Sequence, residues 1–170
     1  MLEFRRGVLF QVGMALLVGV AGCNQGEQVL EPALAAPLET LRAAPETVSV
    51  GESVLRLETF IWRDFMPGPG ATPDGSPMMA SLRVISVDSQ PIPSTLVADL
   101  GWIIWNDQVW EAPVVEDPPR QPGATELDLM MRGGPKWGPD IYVDAVVRVI
   151  GADGASRLLR ARQQRVTATW

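Results

Sequence analysis

Hydrophobic and polar residues alternate along most of the chain after residue 46, a pattern typical of strands with one buried face. The clearest example is residues 141–150, where every second residue is apolar and Tyr142, Asp144 and Arg148 lie between them. Similar runs recur between breaks rich in Gly, Pro and Asp, and none has a convincing helical period. The pattern predicts seven or eight strands, at residues 48–50, 53–63, 79–87, 96–105, 108–115, 126–131, 141–150 and 156–167.

The predicted strand at residues 96–105 has one wholly apolar face, which we expect to lie in the core between two sheets. That face consists of Leu96, Ala98, Leu100, Trp102 and Ile104. Asp99 and Gly101 lie on the opposite face, which suits solvent or a thin cover better than a core. We therefore expect Trp102 to be nearly fully buried and Trp105 to be less buried.

The second face of this strand is a candidate binding face. If Asn106 and Asp107 form a tight hairpin turn, Ile103 lies opposite Trp110, and Trp105 shares their side of the sheet. Ile103, Trp105 and Trp110 then either form an exposed apolar patch for a ligand or partner, or are covered by the preceding segment, a loop or a second sheet. Of the two arrangements, we favour the covered one.

Two loops combine Gly and Pro with aromatic and charged residues, at residues 63–67 and 133–139. Such loops often surround a pocket, which makes Arg63, Asp64 and Trp137 candidate rim residues. The structural alternative, which we favour, is that Arg63 and Asp64 form a local ion pair and that Trp137 plugs one end of the domain.

The first 22 residues have a different pattern. A short charged stretch that includes Arg5 and Arg6 precedes a mostly apolar segment at residues 7–20. At about 1.5 Å per residue that segment is too short for a membrane-spanning helix. The layout is typical of a secretory signal peptide.

The signal segment ends in Val20-Ala21-Gly22-Cys23, which resembles the lipobox of bacterial lipoproteins. The resemblance implies cleavage before Cys23, acylation of this cysteine and attachment to a membrane through its lipid chains. It also implies a cell-envelope location. Because Asn24 follows the cysteine, the outer membrane is favoured where the organism has one, and otherwise the outer face of the plasma membrane.

Residues 23–46 contain Pro32, Pro37 and Pro45, which block a long helix, although residues 38–44 have room for one or two helical turns. We interpret this segment as a flexible tether. The chain therefore divides into a signal peptide at 1–22, a lipidated tether at 23–46 and a domain at 47–170.

The charge of the mature chain is acidic. Removing Arg5 and Arg6 from 14 basic residues and Glu3 from 20 acidic ones leaves 12 and 19, a net charge of −7. This charge argues against nucleic-acid binding and against adhesion to an anionic membrane surface. The chain has no histidine and one cysteine. We therefore expect no metal, no cofactor and no internal disulfide, and a catalytic triad that uses histidine is impossible within the chain.

Pairs of carboxylates still leave acid–base chemistry open, because glycoside hydrolysis needs only two of them at the right separation. The candidates are Glu111, Glu116, Asp117, Asp140 and Asp144. Nothing in their spacing selects a pair, and acidic residues on an acidic domain are normally solvated. We therefore do not expect an enzyme.

The number and order of the predicted strands resemble those of immunoglobulin-like and fibronectin-type domains. The resemblance implies an all-β fold, an immunoglobulin-like sandwich of seven to eight antiparallel strands, with a small β-barrel as the alternative. The expected function is that of a membrane-anchored envelope lipoprotein whose domain binds an envelope protein or a small ligand. A structural accessory subunit of an envelope complex is the alternative, and a carboxylate-based hydrolase is a distant third.

Overall fold

The computed structural model describes residues 36–68 and 72–170. These residues form nine strands and one short helix, which confirms the predicted all-β class. In chain order the elements are α1 (Leu38–Ala43), β1 (Thr47–Val50), β2 (Ser53–Asp64), β3 (Met78–Ser86), β4 (Val97–Trp105), β5 (Gln108–Pro113), β6 (Val115–Glu116), β7 (Glu126–Gly134), β8 (Tyr142–Ile150) and β9 (Ser156–Thr169).

Each of the eight predicted strands is present, with ends displaced by at most a few residues. The ninth strand arises because the predicted strand at 108–115 is interrupted at Val114, which separates β5 from β6. The predicted hairpin turn is also confirmed. Asn106 has a φ of 51°, and Ile103 lies opposite Trp110 in the β4–β5 pair.

All nine strands belong to one hydrogen-bonded sheet with the order β5-β4-β8-β9-β2-β3-β7-β6, and β1 pairs with β2. The two ends of this path are β5 and β6, which follow each other directly in the chain. The sheet is therefore nearly closed, which fits the small-barrel alternative. In immunoglobulin constant-type domains the second and third strands lie in different sheets, whereas β2 and β3 pair with each other here.

β9 joins the two walls of this barrel. Its first part pairs antiparallel with β8, and its last residues pair parallel with residues 61–64 of β2. The strand bends where the β8–β9 register shifts, and Gln163 there has a φ of 53°. The Asp144 carboxylate accepts hydrogen bonds from the Gln163 N–H at 2.9 Å and from Arg160 at 2.6 Å. These bonds hold the bulge that redirects the strand.

The main core lies between the wall formed by β2, β3 and β7 and the wall formed by β4, β5, β8 and β9. It is filled by the inward side chains of both walls, among them Leu55, Leu82, Ile103, Leu127 and Val147, each at most 1% exposed. On β2 and β3 the inward residues alternate with outward residues, many of them polar, as the sequence pattern predicts.

A bulge at Asp99 changes which residues of β4 face the core. The β4–β8 register shifts between Ala98 and Leu100, and the Asp99 carboxylate binds Arg148 at 2.6 and 2.8 Å. Because one extra residue reverses the alternation, Ala98 packs in the main core whereas Leu100 and Trp102 lie on the outer face. The predicted unbroken core face of this strand is therefore wrong.

Helix α1 covers the outer face of β4 and β8. Its Leu41 is fully buried in a second apolar cluster with Trp102, Ile104 and Val146. Trp102 is 2% exposed, so its predicted burial is confirmed, but the helix covers it and not a second sheet. The predicted one or two helical turns are also confirmed, since α1 spans Leu38–Ala43.

The packing of α1 corrects the predicted tether. Residues 36–46 belong to the same compact unit as the strands, so the folded part of the chain includes α1 and does not begin at residue 47. The apolar residues of this segment pack against the sheet. The prolines in the sequence gave no indication of this packing. Residues 23–35 lie outside the described residues, and their role as a tether stays a prediction.

Candidate functional site

Cys23, the predicted lipidation site, and the signal segment lie outside the described residues. In the part of the chain that is described, no helix is long and apolar enough to cross a membrane. The predicted membrane attachment through lipid therefore stays a prediction.

The predicted binding face at Ile103, Trp105 and Trp110 is not an exposed patch. Ile103 is fully buried, and both tryptophans are half-buried and pack against the main core. The reason is the bulge at Asp99, which turns this face of β4 toward the opposite wall of the barrel. The alternative stated from the sequence, in which the other part of the sheet covers these residues, is the correct one.

The candidate binding face and the candidate rim residue Trp137 meet at one end of the barrel. The rings of Trp105 and Trp137 lie 5.7 Å apart in a tilted arrangement, and Trp137 packs against the main core. Trp110 fills the space beside Gly134, where an added Cβ would come within 2.6 Å of its ring. These tryptophans close the end of the barrel, which is the plugging role that the sequence left as the structural alternative for Trp137.

Arg63 is buried at this end, with 3% of its surface exposed. Its guanidinium donates hydrogen bonds to the carbonyls of Ser76 at 3.0 Å, Lys136 at 3.1 Å and Gly138 at 2.8 Å, and also to the carbonyl of Asp74. Four backbone acceptors from two loops therefore surround one cation. Arg63 fastens the loop before β3 to the loop before β8, and its role is structural.

The predicted local ion pair between Arg63 and Asp64 is wrong. Consecutive residues of a strand point to opposite sides, so Arg63 faces the barrel interior while Asp64 faces outward. The Asp64 carboxylate instead accepts hydrogen bonds from the Met66 N–H at 2.9 Å and from the Thr169 hydroxyl at 3.1 Å. Asp64 thus orders the turn after β2.

A surface ion pair lies above this buried arginine. The Lys136 ammonium is 2.7 Å from the Asp74 carboxylate. The hydrogen bond from Lys136 lowers the pKa of Asp74 from 3.8 to about 2, with a further contribution from Thr72. The pair links, at the surface, the same two loops that the buried Arg63 joins in the interior.

The acidic residues considered for hydrolysis are engaged with donors. Among the salt bridges are Glu116 with Arg120, Asp117 with Arg132, Asp140 with Arg165, and Asp144 with Arg160. Glu111 accepts a hydrogen bond from Trp102 Nε1 at 2.5 Å. Within residues 36–68 and 72–170, no three His, Cys, Asp or Glu side chains come together as metal ligands would.

An exposed apolar surface lies elsewhere, on the outside of the β2–β3–β7 wall. On β2, Leu55, Leu57 and Ile61 face inward, so Phe60 and Trp62 face outward. Phe60 is 52% exposed, and its ring stacks on Trp62 at 5.1 Å with an interplanar angle of 24°. Two stacked aromatic rings at the surface leave apolar area in contact with water.

Neighbouring strands extend this surface across the wall. Met79 pairs with Trp62, and Met130 of β7 pairs with Val115 of β6, which is 63% exposed. Residues paired directly across strands share a face. We call this surface the outer stripe, formed by Phe60, Trp62, Met79, Met130 and Val115, with Ser81 between Phe60 and Met130.

Ion pairs border the outer stripe on both sides. Arg83 Nε is 2.8 Å from the Asp128 carboxylate on one side, and Arg132 is 3.5 Å from Asp117 on the other. The hydrogen bond that Arg83 donates to the Asp128 carboxylate raises the pKa of Arg83 above its usual value. An exposed apolar surface with a polar border is typical of interaction sites.

Each end of the outer stripe has a shallow recess. The recess beside Phe60 has a volume of about 140 Å³ and is lined by Glu58, Thr59, Phe60, Ser81 and Arg83. The recess at the other end has a volume of about 290 Å³ and is lined by Ala112, Pro113, Val115, Asp117, Met130 and Arg132. The stripe therefore joins two depressions across the width of the wall.

The sequence contained a signal for this surface. The alternation that places Leu55, Leu57 and Ile61 inside also places Phe60 and Trp62 outside, on the same side as the polar residues of β2. The lateral neighbours of these two residues depend on strand order and register, which local patterns do not encode.

No protein-family model, no curated protein and no solved structure matches this chain. The N-terminal motif and the surfaces of the domain are therefore the features that bear on function.

Proposed function

We propose that this protein is a lipoprotein of the cell envelope, anchored through acylated Cys23, whose β-domain is a binding module. The support for anchoring is the sequence Val20-Ala21-Gly22-Cys23 directly after an apolar signal segment. Each buried methylene of a lipid chain contributes about 0.8 kcal/mol, so two or more acyl chains hold a protein stably on a membrane.

We propose the outer stripe as the binding surface of the module. The observation that carries this proposal is the aromatic stack on the outer face of β2, in which Phe60 is 52% exposed and Trp62 is half-buried, although the domain has a closed apolar core. Contiguous exposed apolar surface with a charged border marks interaction sites more often than it marks solvent-facing surface. The net charge of −7 after Cys23 supports a partner other than nucleic acid.

The anchoring is tested by mass spectrometry of the full-length protein expressed in a bacterium and extracted from its membranes. We expect a mature chain that begins at acylated Cys23. The variant Cys23→Ser should retain the signal segment and should not acquire lipid. Recovery of an unmodified Cys23 in a freely soluble product would contradict the anchoring.

The binding surface is tested by photocrosslinking in intact cells. A benzophenone amino acid at position 60 should produce adducts with an envelope component, because this position lies on the outer stripe. The matched control is the same amino acid at Tyr142, an outward residue of β8 that is 58% exposed. Equal adduct formation from both positions, or none from position 60, would remove the outer stripe as the binding surface.

A further inference from the structure

We infer that the recess beside Phe60 binds a neutral sugar ring of an envelope glycan, an inference that rests on the proposed binding function of the outer stripe. The recess combines the aromatic wall of Phe60 with the carboxylate of Glu58, the guanidinium of Arg83 and the hydroxyl of Ser81. It opens on the outer face of β2 and β3, which are paired at Phe60 and Ser81.

The chemistry of this recess matches that of a pyranose ring. Such a ring has an apolar C–H face, which packs on an aromatic ring, and a rim of hydroxyls that both donate and accept. Glu58 supplies acceptors, Arg83 supplies donors, and the Ser81 hydroxyl supplies both. A purely apolar ligand would exclude water from these polar groups without offering them any hydrogen bond in return, which is unfavourable.

The size of the recess favours one ring and not a compact drug-sized molecule. A volume of about 140 Å³ is below the roughly 300–1,000 Å³ of sites that enclose such molecules. The ligand must therefore place one ring in the recess and extend along the open surface, as a chain of sugar rings does.

The length of the outer stripe agrees with an extended ligand. From β2 through β3 and β7 to β6 there are three strand steps, or about 14 Å. The second recess, beside Val115 and Met130, lies at the far end of this path. A short oligosaccharide would reach from one recess to the other across the apolar surface of Met79 and Met130.

The charges around the recess favour a neutral ligand. Arg83 is already paired with Asp128 at 2.8 Å, and Glu58 with Arg56 at 2.6 Å. A phosphate or a carboxylate would have to compete with Asp128 for Arg83. Glutamate is also depleted at protein–protein interfaces, so the position of Glu58 beside Phe60 favours a hydroxylated ligand over a protein.

The inference is tested by titrating the full-length protein in lipid nanodiscs with chitohexaose, cellohexaose and maltohexaose, followed by calorimetry and tryptophan fluorescence. We expect at least one hexasaccharide to bind. Phe60→Ala should weaken its affinity about tenfold or more, whereas Phe60→Tyr should retain the stacking and stay within about twofold. Ser81→Ala should weaken binding several-fold, because it removes one polar partner of the sugar. Tyr142→Ala is the matched control and should leave affinity unchanged.

Thermal melts of the same variants show whether each is folded, and Phe60 and Ser81 are surface positions outside the core clusters. Absence of binding by all three hexasaccharides, or binding that Phe60→Ala does not weaken, would overturn the inference. Crosslinking from position 60 to a protein and not to a glycan would overturn it as well, while the outer stripe would remain a binding surface.

Discussion

At the scale of single residues, Arg63 shows how a buried charge serves this fold. Four backbone carbonyls from two loops accept hydrogen bonds from its guanidinium, and its cation lies 5.0 Å from the centre of the Phe65 ring. Hydrogen bonds to charged groups are stronger than neutral ones. One side chain therefore replaces the regular hydrogen bonding that these irregular loops lack.

Replacement of Arg63 with Met should lower the free energy of unfolding by at least about 3 kcal/mol, because it leaves buried carbonyls without donors. The matched control is Arg56→Met on the same strand. Arg56 is about half exposed and paired with Glu58, so its loss should cost at most about 1 kcal/mol. Urea denaturation of both variants measures the difference. A similar decrease in the free energy of unfolding for both variants would show that the carbonyls bound by Arg63 find other donors when it is replaced.

The Lys136–Asp74 pair makes a prediction about pH. Because Lys136 holds the pKa of Asp74 at about 2 in the folded chain, the contribution of the pair to stability is complete above pH 3.8 and is lost as the pH falls through about 2. Lys136→Met should return the pKa of Asp74 toward 3.8, as followed by NMR titration of the carboxyl carbon. The pKa of Asp153, also about 2 through Arg157, is the internal control and should not change. An unchanged pKa of Asp74 in the Lys136→Met variant would show that Lys136 is not the partner of Asp74.

At the scale of elements, periodicity predicted the strands well and their faces less well. β2 and β8 keep a regular alternation, so their inward residues followed from the sequence. β4 does not, because the bulge at Asp99 reverses its faces midway. Asp99 gives no local signal for a bulge, since its partner Arg148 lies 49 residues away in the chain. For this reason the main core was assigned to the side of Leu100 and Trp102, whereas Ile103 and Trp105 are the residues that face it.

Helix α1 was less predictable still. A six-residue helix is unstable by itself, and it forms here because Leu41 is buried against Trp102 and Val146. Its sequence allows the turns but does not identify the surface on which they pack. The prolines before and after it therefore indicated a spacer where the structure has a packed element.

A double-mutant cycle measures how α1 is coupled to the sheet. Trp102→Ala should cost about 3–5 kcal/mol and Leu41→Ala about 2–5 kcal/mol, the ranges for buried large side chains. Because the two side chains belong to one apolar cluster, the double variant should depart from additivity by about 0.5–3 kcal/mol. Trp102→Ala combined with Leu127→Ala, from the separate main core, should be additive within about 0.5 kcal/mol. Additivity of the Leu41 and Trp102 changes would contradict the packing of α1.

At the scale of the whole molecule, the all-β class and the approximate strand count followed from composition and alternation. The order of the strands did not. The parallel pairing of Ile61–Asp64 with Val166–Thr169 joins two segments about a hundred residues apart. The sequence of neither segment indicates that the other is its partner. Pairing over such separations depends on how the complete chain buries its apolar faces. The outer stripe depends on other pairings, those of β2 with β3, β3 with β7 and β7 with β6. Local sequence patterns do not encode these either, so only Phe60 and Trp62 could be placed on this surface from the sequence.

The long separation between β2 and β9 has a consequence during synthesis. The first residue of β9, Ser156, follows the first residue of β2, Ser53, by 103 positions. A ribosome adds about 5–20 residues per second, so roughly 5 to 20 seconds pass between the synthesis of β2 and the synthesis of its parallel partner β9. Throughout that time the sheet lacks β9, so the barrel cannot close. For a chain exported as proposed, the wait is useful, since an unclosed polypeptide can still be threaded through a secretion channel whereas a finished barrel cannot.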